Sequence, residues 1–229
     1  MVEAVLYVTK DGEEYASKTD CYSVATYAYY QLDRAVAPEA LKTLCADLLR
    51  YGTAAQIYKG YRTDALADEY MTEAHRALLS DIDGVQFDQH NRELEDLAGA
   101  SVTWIGKTLN LESKLVVRFV FTPSSYTGDP KELSMKLRYV NSSGEVVEAV
   151  LSDPKVYHAA RNYYAFDFDG LLSTELRCVL TGAIYAGDTQ VSVSTCYSAG
   201  SYGNGRTGTL LELSKALMAY ADSASADFK

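Results

Sequence analysis

Apolar and polar positions alternate with a period of two in the middle of the chain. The clearest runs are residues 115–121 and 133–139, in which every second position is Leu, Val, Phe, Met or Tyr. This period is that of a β-strand with one buried face. Shorter β-prone runs follow between turn signals, at residues 145–151, 164–168, 175–180, 183–185 and 189–195. We therefore predict an antiparallel β-sandwich of about seven to eight strands.

The pattern on either side of this region has a helical period of three and four residues. After Pro38, apolar or small residues recur at positions 41, 44, 48, 52 and 55. Near the other end, Thr209 and Glu212 form a capping box, and positions 210, 213, 217 and 220 are apolar. The first residues instead predict a β-hairpin around the turn signal Asp11-Gly12.

One stretch of sequence occurs twice. Cys21-Tyr22-Ser23 recurs as Cys196-Tyr197-Ser198, and the apolar spacing at 41, 44, 48 and 51 recurs at 210, 213, 217 and 220. Each copy follows a predicted hairpin. A hairpin followed by helical sequence is thus written twice, which indicates a chain of tandem modules that starts with the tail of one unit. Such repetition favours a structural or multivalent role.

These patterns predict the fold class α+β, with an antiparallel β-sandwich and helical hairpins at both ends. The predicted parts are a hairpin in residues 1–20 (the tail of a preceding module), a helical segment in 21–80, a connector in 81–100, the β-sandwich in 101–196, and a loop with a C-terminal helix in 197–229.

Composition narrows the classes of partner. The chain has 31 acidic and 21 basic residues, for a formal charge of −10, so it would repel a phosphate backbone. We therefore expect no nucleic-acid partner. No apolar run reaches the 18 or more residues of a membrane span, so we expect no membrane insertion of this segment.

The familiar chemical motifs are weak in this sequence. A G-x-G-x-x-G pattern at 203–208 lacks the following strand and acidic residue of a dinucleotide site. The Asp-x-Asp-Gly patterns at 81–84 and 167–170 lack the last ligand of a calcium loop and are typical of turns. The three histidines are scattered, and the four cysteines form no metal-binding spacing. We expect no catalytic residue, cofactor or metal; a Cys21–Cys45 disulfide and free thiols both remain open.

Aromatic residues are the positive candidates for a binding site. The chain has 19 tyrosines against 6 phenylalanines, and tyrosine suits half-buried recognition surfaces. The candidates are Trp104, Tyr126, Tyr157 and Tyr163 in or beside the predicted sandwich, and Tyr58, Tyr61 and Arg62 after the second helix. The alternatives are that the Trp belongs to the core and that the second group caps the helices.

Three segments carry a resemblance to a known module. They are DCYSVATYA at 20–28, LLRYGTAAQIY at 48–58 and DALA at 64–67. Together they resemble the "YSVxxY…YGxAAQxY…LA" module of large surface proteins of Gram-positive gut anaerobes, and the likeness continues through 106–112, 117–121 and 163–168. The resemblance implies an extracellular chain, on the cell surface or secreted. Some such proteins bind host glycoproteins, immunoglobulins among them, and others accompany glycan-degrading machinery.

The function expected from residues and resemblance together is that of a non-catalytic extracellular binding or adhesion module. Its expected partner is a host protein or glycan, for example an immunoglobulin, and we expect a monomer within a tandem array. The alternatives are a carbohydrate-binding module and a structural spacer that binds nothing.

Overall fold

The fold is that of a computed structural model, which describes residues 2–5, 7–10, 13–16, 20–94, 97–111 and 114–227. It is an α+β fold with two larger antiparallel sheets, two small two-stranded sheets and four α-helices among those residues. The predicted class α+β with antiparallel sheets is therefore confirmed.

The N-terminal region forms two short antiparallel pairs. The strands are β1 (Val2–Ala4), β2 (Tyr7–Lys10), β3 (Glu13–Ala16) and β4 (Asp20–Tyr22). Strand β2 pairs with β3, as the hairpin prediction requires, although the turn at 11–12 lies outside the described residues. Strand β1 pairs with β4, a second pairing that the sequence pattern did not predict.

Three helices follow this region: α1 (Val24–Asp33), α2 (Glu39–Lys59) and the short α3 (Glu73–Arg76). Helix α1 starts at a reciprocal cap, in which the Thr26 N–H donates to the Ser23 hydroxyl and the Ser23 N–H donates to the Thr26 hydroxyl. Helix α2 ends at Gly60, whose φ of 62° is the left-handed conformation that terminates many helices. A small core lies between α1, α2 and the residues around Met71.

Two sheets make up most of the remaining chain. The strands are β5 (Asn91–Glu93), β6 (Thr103–Leu111), β7 (Leu115–Thr122), β8 (Leu133–Val140), β9 (Val146–Leu151), β10 (Lys155–His158), β11 (Tyr163–Phe168), β12 (Leu180–Ala186), β13 (Thr189–Gln190) and β14 (Thr195–Tyr197). One sheet has four strands in the order β10-β11-β7-β6. The other has six, in the order β5-β14-β12-β8-β9, with β13 paired to β12.

The two sheets contribute to a single buried core. The ring of Phe119 in the four-stranded sheet lies edge-on to Tyr197 in the six-stranded sheet, with centroids 6.3 Å apart. Phe168 and Tyr139 form a similar contact at 5.9 Å. Alternate residues of β7 and β8 therefore lie in this core, which explains the period of two in their sequences, and β7 buries Val116 and Val120 on its other face as well.

The last helix, α4 (Gly208–Asp227), joins this core to the helical region. Leu217 and Met218 belong to the core of the sheets, while Tyr220 stacks on Tyr51 of α2 with centroids 5.9 Å apart and planes 8° from parallel. Helices α2 and α4 run antiparallel, since Asp47 contacts Ser223 whereas Tyr51, further along α2, contacts Tyr220, which comes earlier in α4. A helix with neighbours on two sides buries most of its surface, as α4 does.

The structure differs from the predicted boundaries in several places. The run 189–195, predicted as one strand, holds the two-residue β13 and then only the first residue of β14. The segment 175–180, predicted as a strand, begins at the last residue of the 3-10 turn Ser173–Glu175 and continues as turn and bend residues, and β12 starts only at Leu180. The predicted connector 81–100 contributes the edge strand β5 to the six-stranded sheet. After β14, the described residues contain one α-helix preceded by a 3-10 turn at Ala199–Ser201, so a second helical hairpin is not confirmed at this end.

The glycine-dense segment after β14 is packed against the rest of the chain. A Cβ at Gly203 would lie 2.1 Å from the Phe87 ring, and one at Gly200 would lie 2.2 Å from the Asp88 carboxylate. These glycines allow close approach of two chain segments. The G-x-G-x-x-G spacing therefore has a packing explanation.

The two copies of the sequence repeat share the same strand pairing. In the first copy, Tyr22 of β4 pairs with Val2 of β1. In the second copy, the corresponding Tyr197 of β14 pairs with Leu180 of β12. A hairpin precedes the motif strand in both cases, β2–β3 in the first copy and β12–β13 in the second, where β12 is also the strand that pairs with β14.

Candidate functional site

One concave surface of the described residues is a groove on the outer face of the six-stranded sheet. We call it the sheet groove; it has a volume of about 540 Å³. Ala183 of β12 is buried at its floor, and Lys136 of β8 pairs with Ala183 across the sheet. The groove is lined by Leu94, Lys136, Leu137, Arg138, Glu148, Ala149, Val150, Thr181, Gly182, Ala183, Tyr185 and Ser194.

Alternation along β8 places the charged side chains in this groove. Met135 and Leu137 are buried in the shared core, so the intervening Lys136 and Arg138 lie on the opposite face. The Lys136 ammonium lies 4.4 Å from the centre of the Tyr185 ring, within cation–π range. Arg138 Nε is 3.9 Å from a carboxylate oxygen of Glu148 on β9. The groove thus offers two cations and one anion on an acidic chain.

A second surface lies at the edge of the four-stranded sheet. We call it the edge cluster; it consists of Arg118, Lys155, Tyr157, Tyr163 and Asp167. The Arg118 guanidinium forms two hydrogen bonds to the Asp167 carboxylate, at 2.7 and 2.9 Å, and lies 5.5 Å from the centre of the half-exposed Tyr157 ring. The Lys155 ammonium lies 3.4 Å from the same carboxylate.

The arginine contact has an electrostatic consequence. The hydrogen bond from Arg118 holds the pKa of the Asp167 carboxyl below its ordinary value, while partial burial opposes this effect. Asp167 therefore stays ionised at neutral pH, and the edge cluster presents a fixed ion pair beside an exposed tyrosine ring.

A smaller polar pocket lies between β6, β14 and the segment after β14. It has a volume of about 200 Å³ and is lined by Gln89, Asn91, Lys107, Tyr197, Ser201, Tyr202, Asn204 and Arg206. The Lys107 ammonium donates to the Thr195 hydroxyl at 2.7 Å, and burial lowers the pKa of Lys107. The buried hydroxyl of Tyr197 has no hydrogen bond of good geometry among the described residues, although the Ser201 hydroxyl lies near it. An unpaired buried hydroxyl costs free energy, and a ligand that bonds to it would recover that cost.

The aromatic residues singled out from the sequence lie in different places. Trp104 is buried in the shared core, and its indole N–H donates to the Val193 carbonyl at 2.9 Å, which matches the core alternative. Tyr126 packs against the same core from the loop after β7. Tyr157 and Tyr163 fall together in the edge cluster, where Tyr163 also contacts the His158 ring.

The second predicted group lies at the end of α2. Tyr58 and Tyr61 are exposed, and the Lys59 ammonium lies 5.7 Å from the centre of the Tyr58 ring. Arg62 has a φ of 49°, in the turn that follows the helix. Tyr61 lines a shallow cavity of about 410 Å³ together with Leu111 of β6, so this patch borders the four-stranded sheet.

The turn aspartates are occupied by local partners. The Asp81 carboxylate accepts the Asp83 N–H at 2.9 Å, and Lys114 forms an ion pair with Asp169. Among the described residues, no group of three His, Cys, Asp or Glu is arranged to hold a metal ion.

Cys178 and Cys196 are not in disulfides, while the side chain of Cys21 lies outside the described part of the chain.

Comparison of the chain with protein-family models, with curated proteins and with solved structures found no match. Within the part of the chain that the structure describes, no helix combines the length and the apolar character needed to cross a membrane.

Sequence reasoning missed the sheet groove. The only signal along the chain was the polar half of the alternating pattern, at Lys136 and Arg138, which indicates a solvated strand face without saying that the face is concave. The sequence predicts that Tyr185 lies in a strand, but its position beside Lys136 depends on the pairing of β12 with β8.

Proposed function

We propose that the chain is a non-catalytic binding module of an extracellular bacterial surface protein, and that it recognises a host glycoprotein such as an immunoglobulin. The observation that carries this proposal is the sheet groove, with Tyr185 beneath Lys136 and the Arg138–Glu148 pair alongside. An open groove on a rigid sheet suits the binding of an extended, polar segment of a partner.

The chemistry of the groove supports recognition in preference to reaction. Tyrosine and arginine are the residues most enriched at protein recognition sites, because each combines apolar area with directed polar contacts. The basic side chains would attract an acidic segment of a partner even though the whole chain is negatively charged, since screening limits charge interactions to about 8 Å at physiological ionic strength.

The same proposal includes a β-sandwich fold and an extracellular setting within a tandem array. We interpret the two sheets as a β-sandwich, on the support of the Phe119–Tyr197 and Tyr139–Phe168 contacts between them. The extracellular, tandem setting rests on the sequence resemblance and the internal repeat. In a tandem array, several weak sites would act together and raise the total affinity.

The test is capture of partners from serum and mucus by the immobilised chain, followed by affinity measurement with purified immunoglobulin. Arg138→Glu reverses a charge in the sheet groove, and Lys155→Glu makes the same reversal in the edge cluster. Both side chains are largely exposed, so neither change should unfold the chain. We expect Arg138→Glu to weaken binding by at least about tenfold and Lys155→Glu to change it less than about twofold.

The opposite pattern would assign the binding to the edge cluster and reject the sheet groove. If both variants bound as tightly as the native chain, both surfaces would be rejected. Absence of any captured glycoprotein at micromolar concentrations of the chain would reject the proposed function itself and favour a spacer.

A second candidate, a carbohydrate-binding module, is favoured by the polar pocket. Its amide side chains, at Gln89, Asn91 and Asn204, carry donors and acceptors that suit sugar hydroxyls; Gln89 and Asn204 also bond to each other and to backbone carbonyls, which fixes their orientation. A glycan array tests this directly. Tyr197→Phe removes only the unpartnered hydroxyl, so it should leave stability unchanged and weaken a bound glycan by about tenfold. Unchanged glycan binding by this variant would exclude the pocket.

A further inference from the structure

The two copies of the repeated motif have the same strand pairing but different surroundings. Tyr197 of the second copy is 1% exposed, whereas the matching Tyr22 of the first copy is 56% exposed. The difference arises from neighbouring strands. In the second copy, β12 pairs with β8 on its far side and β14 pairs with β5. Among the described residues, β1 pairs only with β4, and no strand flanks that pair on either side.

The first copy has the sequence of a strand that is buried on one face. In the second copy, Leu180 and Ile184 of β12 are fully buried in the core of the sheets. Aligned through Tyr7 and Tyr185, the first copy has Val, Ala, Leu and Val at positions 2, 4, 6 and 8, opposite the positions 180, 182, 184 and 186. Every second residue is thus apolar in both copies. A strand pair with such an alternating apolar sequence is unusual in a soluble protein unless another strand or layer covers it.

We propose that residues 2–22 complete the six-stranded sheet of a neighbouring repeat, taking the place that β12–β14 takes in this one. The occupant is a segment equivalent to residues 81–179, which supplies a β8-like strand beside β1 and a β5-like strand beside β4. Tyr22 then packs in the core of the neighbouring repeat, as Tyr197 packs on Phe119 here. This is pairing by strand addition, in which backbone hydrogen bonds and alternate side chains both contribute.

The proposal has a consequence for the architecture of an array. Each joint between repeats would be a shared sheet, and α1, which follows β4 directly, would be held against that joint. Such a joint is stiffer than a flexible linker, because the connecting residues belong to the core of one repeat and the helical region of the next. It is independent of the sheet groove and would hold even if the proposed ligand were wrong.

The test extends the chain by its own sequence. Residues 81–179 are placed before Val2, so that Val2 follows Val179 as Leu180 does in the native sequence. Hydrogen–deuterium exchange is then measured for residues 2–22 in the extended and original chains. We expect exchange in this segment to slow by at least about 100-fold in the extended chain, because amides in a central strand open only with the surrounding core.

Two variants separate strand addition from a general effect of the added mass. Tyr22→Asp should restore fast exchange of residues 2–22 in the extended chain and leave the original chain unchanged. Tyr15→Asp is the matched control, because Tyr15 is exposed and its counterpart, Thr189, is exposed in the second copy as well. It should have no effect in either chain.

Exchange of residues 2–22 at the original rate would overturn the proposal, whether or not the added segment is itself protected. Equal effects of Tyr22→Asp and Tyr15→Asp in the extended chain would also overturn it, because burial of Tyr22 is the specific contact that the proposal requires.

Discussion

Replacing Asp47 by Ala is expected to destabilise the chain more than any replacement of an exposed acidic residue. The Asp47 side chain is fully buried between α2 and α4. Its carboxylate accepts from the Arg50 guanidinium at 2.5 Å, from the Ser80 hydroxyl at 2.6 Å and N–H at 3.2 Å, and from the Ser223 hydroxyl. One carboxylate therefore connects three segments of the chain.

The magnitude follows from what the replacement leaves behind. The Arg50 guanidinium is largely buried, and burial lowers the pKa of Arg50. Without Asp47, this cation and two hydroxyl groups lose their acceptor. Removal of one partner from a buried ion pair costs about 3–5 kcal/mol. For a chain of this size, that corresponds to a fall in melting temperature of about 6–20 °C.

The assay is urea unfolding followed by circular dichroism, with two further variants. Asp47→Asn keeps the shape of the side chain and one acceptor oxygen. Its free energy of unfolding should therefore lie between those of the native chain and Asp47→Ala. Asp83→Ala removes a carboxylate that is 91% exposed and pairs with Lys215, so it should change the free energy of unfolding by less than about 1 kcal/mol. A loss below about 1 kcal/mol for Asp47→Ala would refute the reasoning, because it would mean that the network does not hold the helices together.

Three other changes test separate parts of the fold. Gly203→Ala should cost roughly 1–3 kcal/mol, because its Cβ would overlap an aromatic ring, whereas Gly106→Ala, with nothing within 4 Å, should be nearly neutral in the same unfolding assay. The ion pair of Asp167, whose folded pKa is lowered, should stabilise the chain fully above the ordinary pKa of about 4 and lose its effect as the pH falls through the folded pKa. The difference in stability between the native chain and Asp167→Asn should therefore be constant from about pH 5 to 8 and shrink below about pH 4; a difference that grew on acidification would contradict this. Burial raises the pKa of the Cys178 thiol, so alkylation at pH 8, followed by mass spectrometry, should be slow there and absent at the buried Cys196 until the chain unfolds.

The elements that could be predicted are those whose cause is visible in a short window of sequence. Strand β8 alternates because Met135 and Leu137 meet the core while Lys136 and Arg138 meet solvent. Helix α2 could be predicted from its apolar spacing and from Pro38 at its start. In both cases the residues that decide the conformation lie within the element itself.

The segment before β12 shows why alternation alone can mislead. Leu176 and Leu180 are both buried, with Cys178 half-buried between them, as in a strand. However, the Glu175 carboxylate accepts the Leu172 N–H at 3.0 Å and closes a 3-10 turn. A side chain that satisfies a backbone amide three residues earlier stabilises a turn, whatever the spacing of the leucines.

The sheet groove could not be predicted from the sequence, because it depends on the order of strands. Ala183 forms its floor only because β12 lies beside β8, and Glu148 reaches Arg138 only because β9 flanks the other side. The strands β8 and β12 are separated by three other strands along the chain. Local patterns predict which residues share a face, but not which faces lie side by side.

The repeated Cys-Tyr-Ser motif extends the same reasoning to the joint between repeats. Both copies lie in short strands, and in both the tyrosine pairs with an apolar residue of an antiparallel neighbour. Tyr197 is nevertheless part of a core and Tyr22 part of a surface, because in the part of the chain that the structure describes only the second copy has strands on both sides. The burial of a residue thus depends on the strands that lie beside it and not on its local sequence alone. If a neighbouring repeat supplies the flanking strands as proposed, burial of apolar surface at Tyr22 would stabilise the joint by about 25 cal/mol for each Å² removed from water.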